Sequence, residues 1–255
     1  MRVTVVGCSG SFAGPESPAS CYLVQHEENG RLWSVLLDLG SGAFGALQRY
    51  VDPRALDAVL ISHLHPDHCI DLTGMYVFRT YHPEGMPERP LPLYGPPRTP
   101  HRFTRMYHGL EHDAVERVFD VHTLADTARI EVGPLTVTAY AVQHPVEAYG
   151  FRVEAAGRVL AYTGDTDSCA NLSPLLRGAD LALMDCAFVD GRDTVPGIHL
   201  SGSRAAQAAL QAGGVERLVL THLPSWNDPG VCRAQAAALW PGEVGLARPG
   251  DVYEL

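Results

Sequence analysis

Three imidazoles and a carboxylate crowd into the run Ser62-His63-Leu64-His65-Pro66-Asp67-His68. Such a set forms either a solvated polar turn, with Asp67 capping the helix that follows, or a metal site, since imidazole and carboxylate are ligands for zinc and related divalent ions. The apolar segment Ala58-Val59-Leu60-Ile61 before it reads as a buried strand of a parallel sheet, and Cys69 to Tyr81 after it reads as a helix. Pro66 suits a first helical position, where its missing N–H costs nothing. His65, preceding a proline, is held extended. His63 and His65 therefore lie two apart on extended backbone and point to the same side, while Asp67 and His68 leave from the first helical turn. The four side chains converge at the mouth of one strand-to-helix loop, a common place for ligands in α/β folds. Side chains adjacent in the chain point apart, so one ion cannot easily take all four. Two ions can, one claiming His63 and His65 and the other Asp67 and His68, at a spacing of about 3.5–4 Å.

His63-x-His65-x-Asp67-His68 resembles the motif of the metallo-β-lactamase fold superfamily. The resemblance implies three further ligands, and three later residues of suitable chemistry end strand-like runs. His144 follows Val137 to Gln143, Asp165 follows Leu160 to Gly164, and His222 follows Leu218 to Thr221. Any one alone is an ordinary polar residue at a strand end; their joint occurrence in order fits the family. Its pattern gives one ion His63, His65 and His144 and the other Asp67, His68 and His222, with the two oxygens of Asp165 between them. Asp38, in Asp38-Leu39-Gly40, either supports a ligand histidine from behind or caps the helix that follows. The resemblance favours the first.

Finer features are similar to the ribonuclease Z-like phosphodiesterase branch. These are Tyr162-Thr163-Gly164-Asp165-Thr166, the stretch Tyr149-Gly150-Phe151-Arg152 after His144, and His199-Leu200-Ser201-Gly202 opening a helix. Asp185 stands where relatives carry an acidic residue, usually Glu. The resemblance implies a hydrogen-bonded pair in which Asp185 orients His199, so that His199 protonates a leaving oxygen; the alternative is a helix-start histidine without chemistry. Asp67 has a further implied role, steadying the attacking water. The basic arm with which transfer-RNA 3′-processing enzymes grip their substrate has no counterpart between the Val159 to Tyr162 strand and His199. The runs Gly7-Cys8-Ser9-Gly10-Ser11, Ser17-Pro18-Ala19-Ser20 and His199-Leu200-Ser201-Gly202 resemble actinobacterial atypical cyclic-AMP phosphodiesterases. The expectation is a metal-dependent hydrolase with two divalent ions, Zn2+ before Mn2+ or Fe, cleaving a small anionic phosphodiester such as cyclic AMP. Rival expectations are a ribonuclease Z-like 3′-endonuclease, a lactone or thioester hydrolase, and a non-catalytic binding member of the fold.

The elements that must position these residues alternate between strands and helices. Strands are expected at Val3–Val6, Cys21–Gln25, Leu32–Leu39, Leu91–Tyr94, Arg129–Val132, Leu135–Val142, Tyr149–Val153, Val159–Tyr162, Leu181–Met184 and Arg217–Leu220. Helices are expected at Ala43–Tyr50, near Pro100–Leu110, and at Ser201–Ala212, the last capped by Ser201 and ended by Gly213-Gly214. Periodicity alone says α/β; the resemblance implies a four-layer αββα sandwich, one domain over residues 1–255. The Gly7–Pro15 loop is either a plain turn or a phosphate cradle, without the lysine of a P-loop. His101, His108, His112 and His122 lack ligand-like grouping, though one or two could line the cleft.

A net charge of −10 over 255 residues counts against a nucleic-acid partner, whose affinity comes largely from Lys and Arg. Six scattered cysteines without a Cys-x-x-Cys pair suggest reduced thiols in a cytoplasmic protein. Met1 to Gly7 lacks the layout of a secretory signal, and no stretch is apolar enough to span a membrane. The resemblance leaves a homodimer open.

Overall fold

A computed structural model describes every residue except His108; the side chain of His112 is also left undescribed. Those two histidines, weighed above as possible cleft residues, lie outside the described set. The first sheet takes β1 (Arg2–Gly7), β2 (Cys21–Glu28), β3 (Arg31–Leu37), β4 (Ala58–Leu60), β5 (Leu91–Gly95) and β6 (Phe119–Thr123). The second takes β7 (Arg129–Val132), β8 (Leu135–Ala141), β9 (Tyr149–Ala155), β10 (Arg158–Tyr162), β11 (Leu181–Asp185), β12 (Leu218–Thr221) and β13 (Val244–Leu246). A last strand, β14 (Val252–Glu254), returns to the first sheet beside β1. The orders are β14-β1-β2-β3-β4-β5-β6 and β13-β12-β11-β10-β9-β8-β7. Each sheet has an antiparallel part, then parallel strands: β3 to β6 in the first, β10 to β13 in the second. The sequence shows no close internal repeat, yet the two sheets share this plan.

Alternation along the strands builds the layers. In β2, Tyr22 and Val24 face the second sheet while Cys21 and Leu23 face outward to helices. In β11, Leu181 and Leu183 face the first sheet while Ala182 and Met184 face outward. The inter-sheet core joins Val3, Val35 and Leu37 to Val137, Phe151 and Leu160. Outside the first sheet pack α1 (Ala43–Leu47), α2 (Pro66–Cys69), α3 (Leu72–Tyr81), α4 (Thr99–Met106) and α5 (His112–Glu116). Outside the second pack α6 (Leu172–Leu176), α7 (Gly202–Gln211) and α8 (Pro229–Ala237). This is the αββα sandwich. Among the described residues no helix is long and apolar enough to cross a membrane. The six cysteines are free thiols.

Several boundaries differ from expectation. The helix expected from Cys69 is interrupted: α2 ends at Cys69 and α3 begins at Leu72. At the break, the Asp71 N–H donates to the Leu39 carbonyl at 3.2 Å, and its Oδ2 accepts the Phe44 N–H at 2.9 Å. The chain there ties two loops together instead of continuing its own ladder. Ser201 does cap α7, accepting the Arg204 N–H, and Gly213 and Gly214 follow with positive φ.

The strands that matter run to one edge. β3, β4, β8, β10, β11 and β12 deliver their C-terminal ends there; β11 ends on Asp185 and each of the others is followed by a polar residue singled out above. The sheets are bonded to one another at that edge. The Tyr149 N–H donates to the Ser62 carbonyl at 3.0 Å, and the Tyr22 and Thr221 hydroxyls lie 2.5 Å apart.

A candidate two-ion metal centre

The loop after β4 turns as its sequence dictates. His65 is extended (φ −70, ψ 149) and Pro66 opens α2, with Asp67 in its first turn. His144 leaves the end of β8, Asp165 the end of β10, and His222 the end of β12. All seven expected ligands come together in two overlapping groups. One comprises His63, His65, His144 and Asp165; the other comprises Asp67, His68, Asp165 and His222. In each group one donor atom per residue lies within 4.8 Å of the rest.

The donor atoms lie close to one another. His63 Nε2 lies 3.0 Å from His65 Nδ1, which lies 3.2 Å from His144 Nε2. Asp165 Oδ1 lies 3.1 Å from His68 Nε2, and its Oδ2 lies 3.2 Å from His222 Nε2 and 3.5 Å from His63 Nε2. Close as they are, His68 Nε2, His222 Nε2 and Asp165 Oδ1 lack hydrogen-bond geometry and are buried without a partner. Orphaned buried polar atoms are costly; here they all aim at the same small volume. The donor set, five imidazoles and two carboxylates, fits a pair of divalent ions.

The far side of each ring explains the arrangement. His144 Nδ1 donates to the Ile198 carbonyl at 2.8 Å, which leaves Nε2 as a lone-pair donor. His68 Nδ1 meets Asp38 Oδ2 at 2.7 Å, His222 Nδ1 meets Ser20 Oγ at 3.0 Å, and His63 Nδ1 meets Ser62 Oγ at 3.1 Å. Asp38 therefore supports a histidine from behind and does not cap α1. Fully buried, it also accepts from the Ser62 N–H at 2.6 Å, the Ser62 hydroxyl at 2.8 Å and the Tyr162 hydroxyl at 2.7 Å.

Burial pushes the imidazoles of His63, His65, His144 and His222 down, toward the neutral form a ligand needs. For His68, burial is outweighed by the charges of Asp165, Asp38 and Asp67, and its pKa rises. Burial also works against ionised Asp67, but the cationic charge of His68 and its hydrogen bond bring that carboxyl down to about 2.

Backbone strain gathers at the same place. Asp38 and His222, neither a glycine, hold φ of 60° and 57°. Gly40 lets its loop press on the ligand loop, since a Cβ there would stand 1.9 Å from the Asp67 carbonyl oxygen. Gly164, at φ 58°, similarly leaves room for the Tyr149 carbonyl.

Asp185 and His199 are brought together: His199 Nδ1 lies 2.9 Å from Asp185 Oδ2. Asp185 is fully buried and held by the N–H groups of Thr166 at 3.0 Å and Ala187 at 3.1 Å. Burial would lower the His199 pKa, yet the Asp185 charge and hydrogen bond carry it up to about 9. The His199 ring sits 5.3 Å from that of His144 and 5.4 Å from that of His222, spanning both candidate ion positions.

Ser20, Ser62, Tyr162 and the Ile198 carbonyl are the supporting groups that sequence reasoning did not assign. Three of them stood inside motifs already quoted; for Ser62 and Tyr162 a hydroxyl near a ligand was the available signal, whereas Ser20 lies 202 residues from His222 and had none. The Gly7–Pro15 loop is a packed turn. Its Ser9 and Gly10 N–H groups donate to the Pro18 and Leu223 carbonyls, at 3.1 Å each, and are not free to cradle phosphate. Between β10 and His199 the chain holds only α6, β11 and their loops.

A sandwich of two mixed sheets with seven His and Asp donors at one edge is the build of a metallo-hydrolase, and the buried cluster is compatible with divalent metal ions. Residues 34–223 match the family model described as the beta-lactamase superfamily domain. An uncharacterized protein of Mycobacterium tuberculosis is 41% identical over all of this chain and 92% of its own length. The probable metallo-hydrolase YhfI of Bacillus subtilis is 31% identical over the whole of both chains, and its crystal structure superposes with a TM-score of 0.86 over 99% of each, at 29% identity. A ribonuclease Z of Myxococcus xanthus is 28% identical over 87% of this chain and 88% of its own. The chain belongs to the metallo-β-lactamase superfamily, among relatives of YhfI and ribonuclease Z.

Proposed function

We propose that this chain is a phosphodiesterase, and that its substrate is a small anionic phosphodiester such as the cyclic nucleotide cyclic AMP. The observation that carries the reading is the His199–Asp185 pair poised over a two-ion donor set. His63, His65 and His144 would hold one ion and Asp67, His68 and His222 the other, with Asp165 shared. Zinc suits this imidazole-rich set, and manganese or iron would accept the same ligands. When bound, a divalent pair supplies a water of lowered pKa and neutralises charge on phosphoryl oxygens.

The chain's own groups do the rest. Asp67, ionised at neutral pH, is placed to accept a hydrogen bond from the attacking water and fix its direction. Asp185 accepts a hydrogen bond from the Nδ1–H of His199, which leaves Nε2 as the nitrogen free to serve the substrate. His199, protonated at neutral pH, donates from Nε2 to the departing oxygen. A lactone or thioester hydrolase gains less from such a proton donor beside the centre, and a ribonuclease Z-like endonuclease gains from a basic arm this chain lacks.

The test is a substrate panel on protein of measured metal content: cyclic AMP, other cyclic nucleotides, bis(p-nitrophenyl) phosphate, a precursor transfer RNA with a 3′ trailer, and a lactone. Turnover of cyclic AMP with two ions per chain supports the reading. Cleavage of the precursor or the lactone alone overturns it.

A further inference from the structure

A second feature borders the donor set on the His65 side. A cleft of about 690 Å3, inside the size range of small-molecule sites, is lined by His65 and Leu64, by α4, and by Val146 and Glu147 after His144. From α4 and the residue just before it, the cleft receives Arg98, His101, Arg102 and Arg105. Arg98, Arg102 and Arg105 recur at i, i+4 and i+7 and so share one helical face. The adjoining face buries Thr99 and Phe103.

Three properties of this stripe call for a ligand. Like charges four apart weaken a helix, so a purely structural α4 has no use for them. Among the described residues none of the three guanidinium groups is ion-paired to a carboxylate. Glu147, the one carboxylate lining the cleft, accepts the Tyr149 hydroxyl at 2.6 Å. Arg102 is partly buried, and its Nε is a buried donor without a partner. A chain of net charge −10 thus concentrates three unpaired guanidinium groups in one cleft that opens onto a candidate metal ligand.

We infer that the α4 cleft is a binding subsite for a second phosphate, so that among the small phosphodiesters the centre would take, those bearing a further phosphate are bound more tightly. A planar guanidinium meets phosphate oxygens in two-point hydrogen bonds, and neighbouring guanidinium groups can share one dianion. The inference rests on the phosphodiesterase reading for its substrate class. A cyclic mononucleotide, its single phosphate taken up by the donor set, would leave the cleft unused, whereas a dinucleotide-type substrate, linear or cyclic, would engage both.

The test is equilibrium binding by titration calorimetry to the zinc-loaded protein. The probes are two diadenosine dinucleotides with a hydrolysis-resistant phosphorothioate linkage, one with and one without a 5′-phosphate. The wild type is expected to bind the 5′-phosphorylated probe about tenfold to a hundredfold more tightly, the scale of one or two charge-assisted contacts. The preference should shrink as salt is raised. In the R102Q/R105Q variant the ratio of the two dissociation constants should fall toward one. Should that variant fold poorly by thermal melting, R98Q/R105Q, altered only at exposed positions, should cut the ratio severalfold. Equal affinity for the two probes in the wild type, or an undiminished ratio in a folded variant, overturns the inference. Failure of the phosphodiesterase reading shows separately, as absence of p-nitrophenol release from bis(p-nitrophenyl) phosphate.

Discussion

His199→Ala should slow this protein according to the leaving group it must expel. The pair is built to hold one proton donor in place: Asp185, immobilised by the Thr166 and Ala187 N–H groups, accepts a hydrogen bond from His199 Nδ1–H at 2.9 Å. That ring lies 5.3 Å from the ring of His144 and 5.4 Å from the ring of His222. With its pKa carried up to about 9, the imidazole is almost wholly protonated at pH 7. A positioned acid contributes about a hundredfold to ten-thousandfold when the leaving oxygen is a poor one, or about 2.7–5.4 kcal/mol of barrier. A ribose alkoxide needs that proton; p-nitrophenolate, stable as an anion near neutral pH, does not. Removing His199 should therefore cut kcat on cyclic AMP by that factor and kcat on bis(p-nitrophenyl) phosphate by less than about tenfold. Metal content, by elemental analysis, should stay at the wild-type value, because the seven proposed ligands are untouched. Deleting the ring also removes its packing on Phe188, 5.2 Å away, so the comparison is made below the melting temperature of the variant. Equal slowing on both substrates would refute the acid role and leave His199 a structural residue.

Further outcomes follow from the same geometry. Asp165→Ala removes the one carboxylate common to both donor groups, so it should lose both ions and activity together, measured by elemental analysis and turnover on one sample. Asp38→Asn keeps the shape but not the charge behind His68. A partner of this kind is worth about tenfold to a hundredfold in metal affinity, readable by competition with a chromophoric chelator; unchanged affinity would sink the supporting role. Gly40→Ala puts a methyl group 1.9 Å from the Asp67 carbonyl oxygen. It should cost about 1–3 kcal/mol of stability by denaturant titration and weaken metal binding with it.

The cluster His63 to His68 was legible because everything that shapes it is local. A buried strand before it, an extended His65 and a helical Pro66 orient four side chains within one loop, and torsional preferences act over that range. His144, Asp165 and His222 were legible only through resemblance to a family, since no local rule says which polar strand end will face a loop many residues away. The αββα layering stood between these cases: alternation marked the strands, but not that β14 would return beside β1 or that the sheets would share one plan.

What the chain's order of residues determined by itself is the chemistry available: seven metal-type donors, and a histidine and an aspartate of the kind that relatives pair. What only the folded sandwich decided is who meets whom. Ser20 braces His222 across 202 residues, and Leu223 claims the amide that a phosphate cradle would have needed. Asp38 turns to His68 instead of capping α1, and α4 aims its guanidinium groups into the cleft beside His65. The reason is physical. Such pairings carry no local torsional mark; they form when burial of two apolar sheet faces forces strand ends from both sheets to one edge, where each polar group must find a partner.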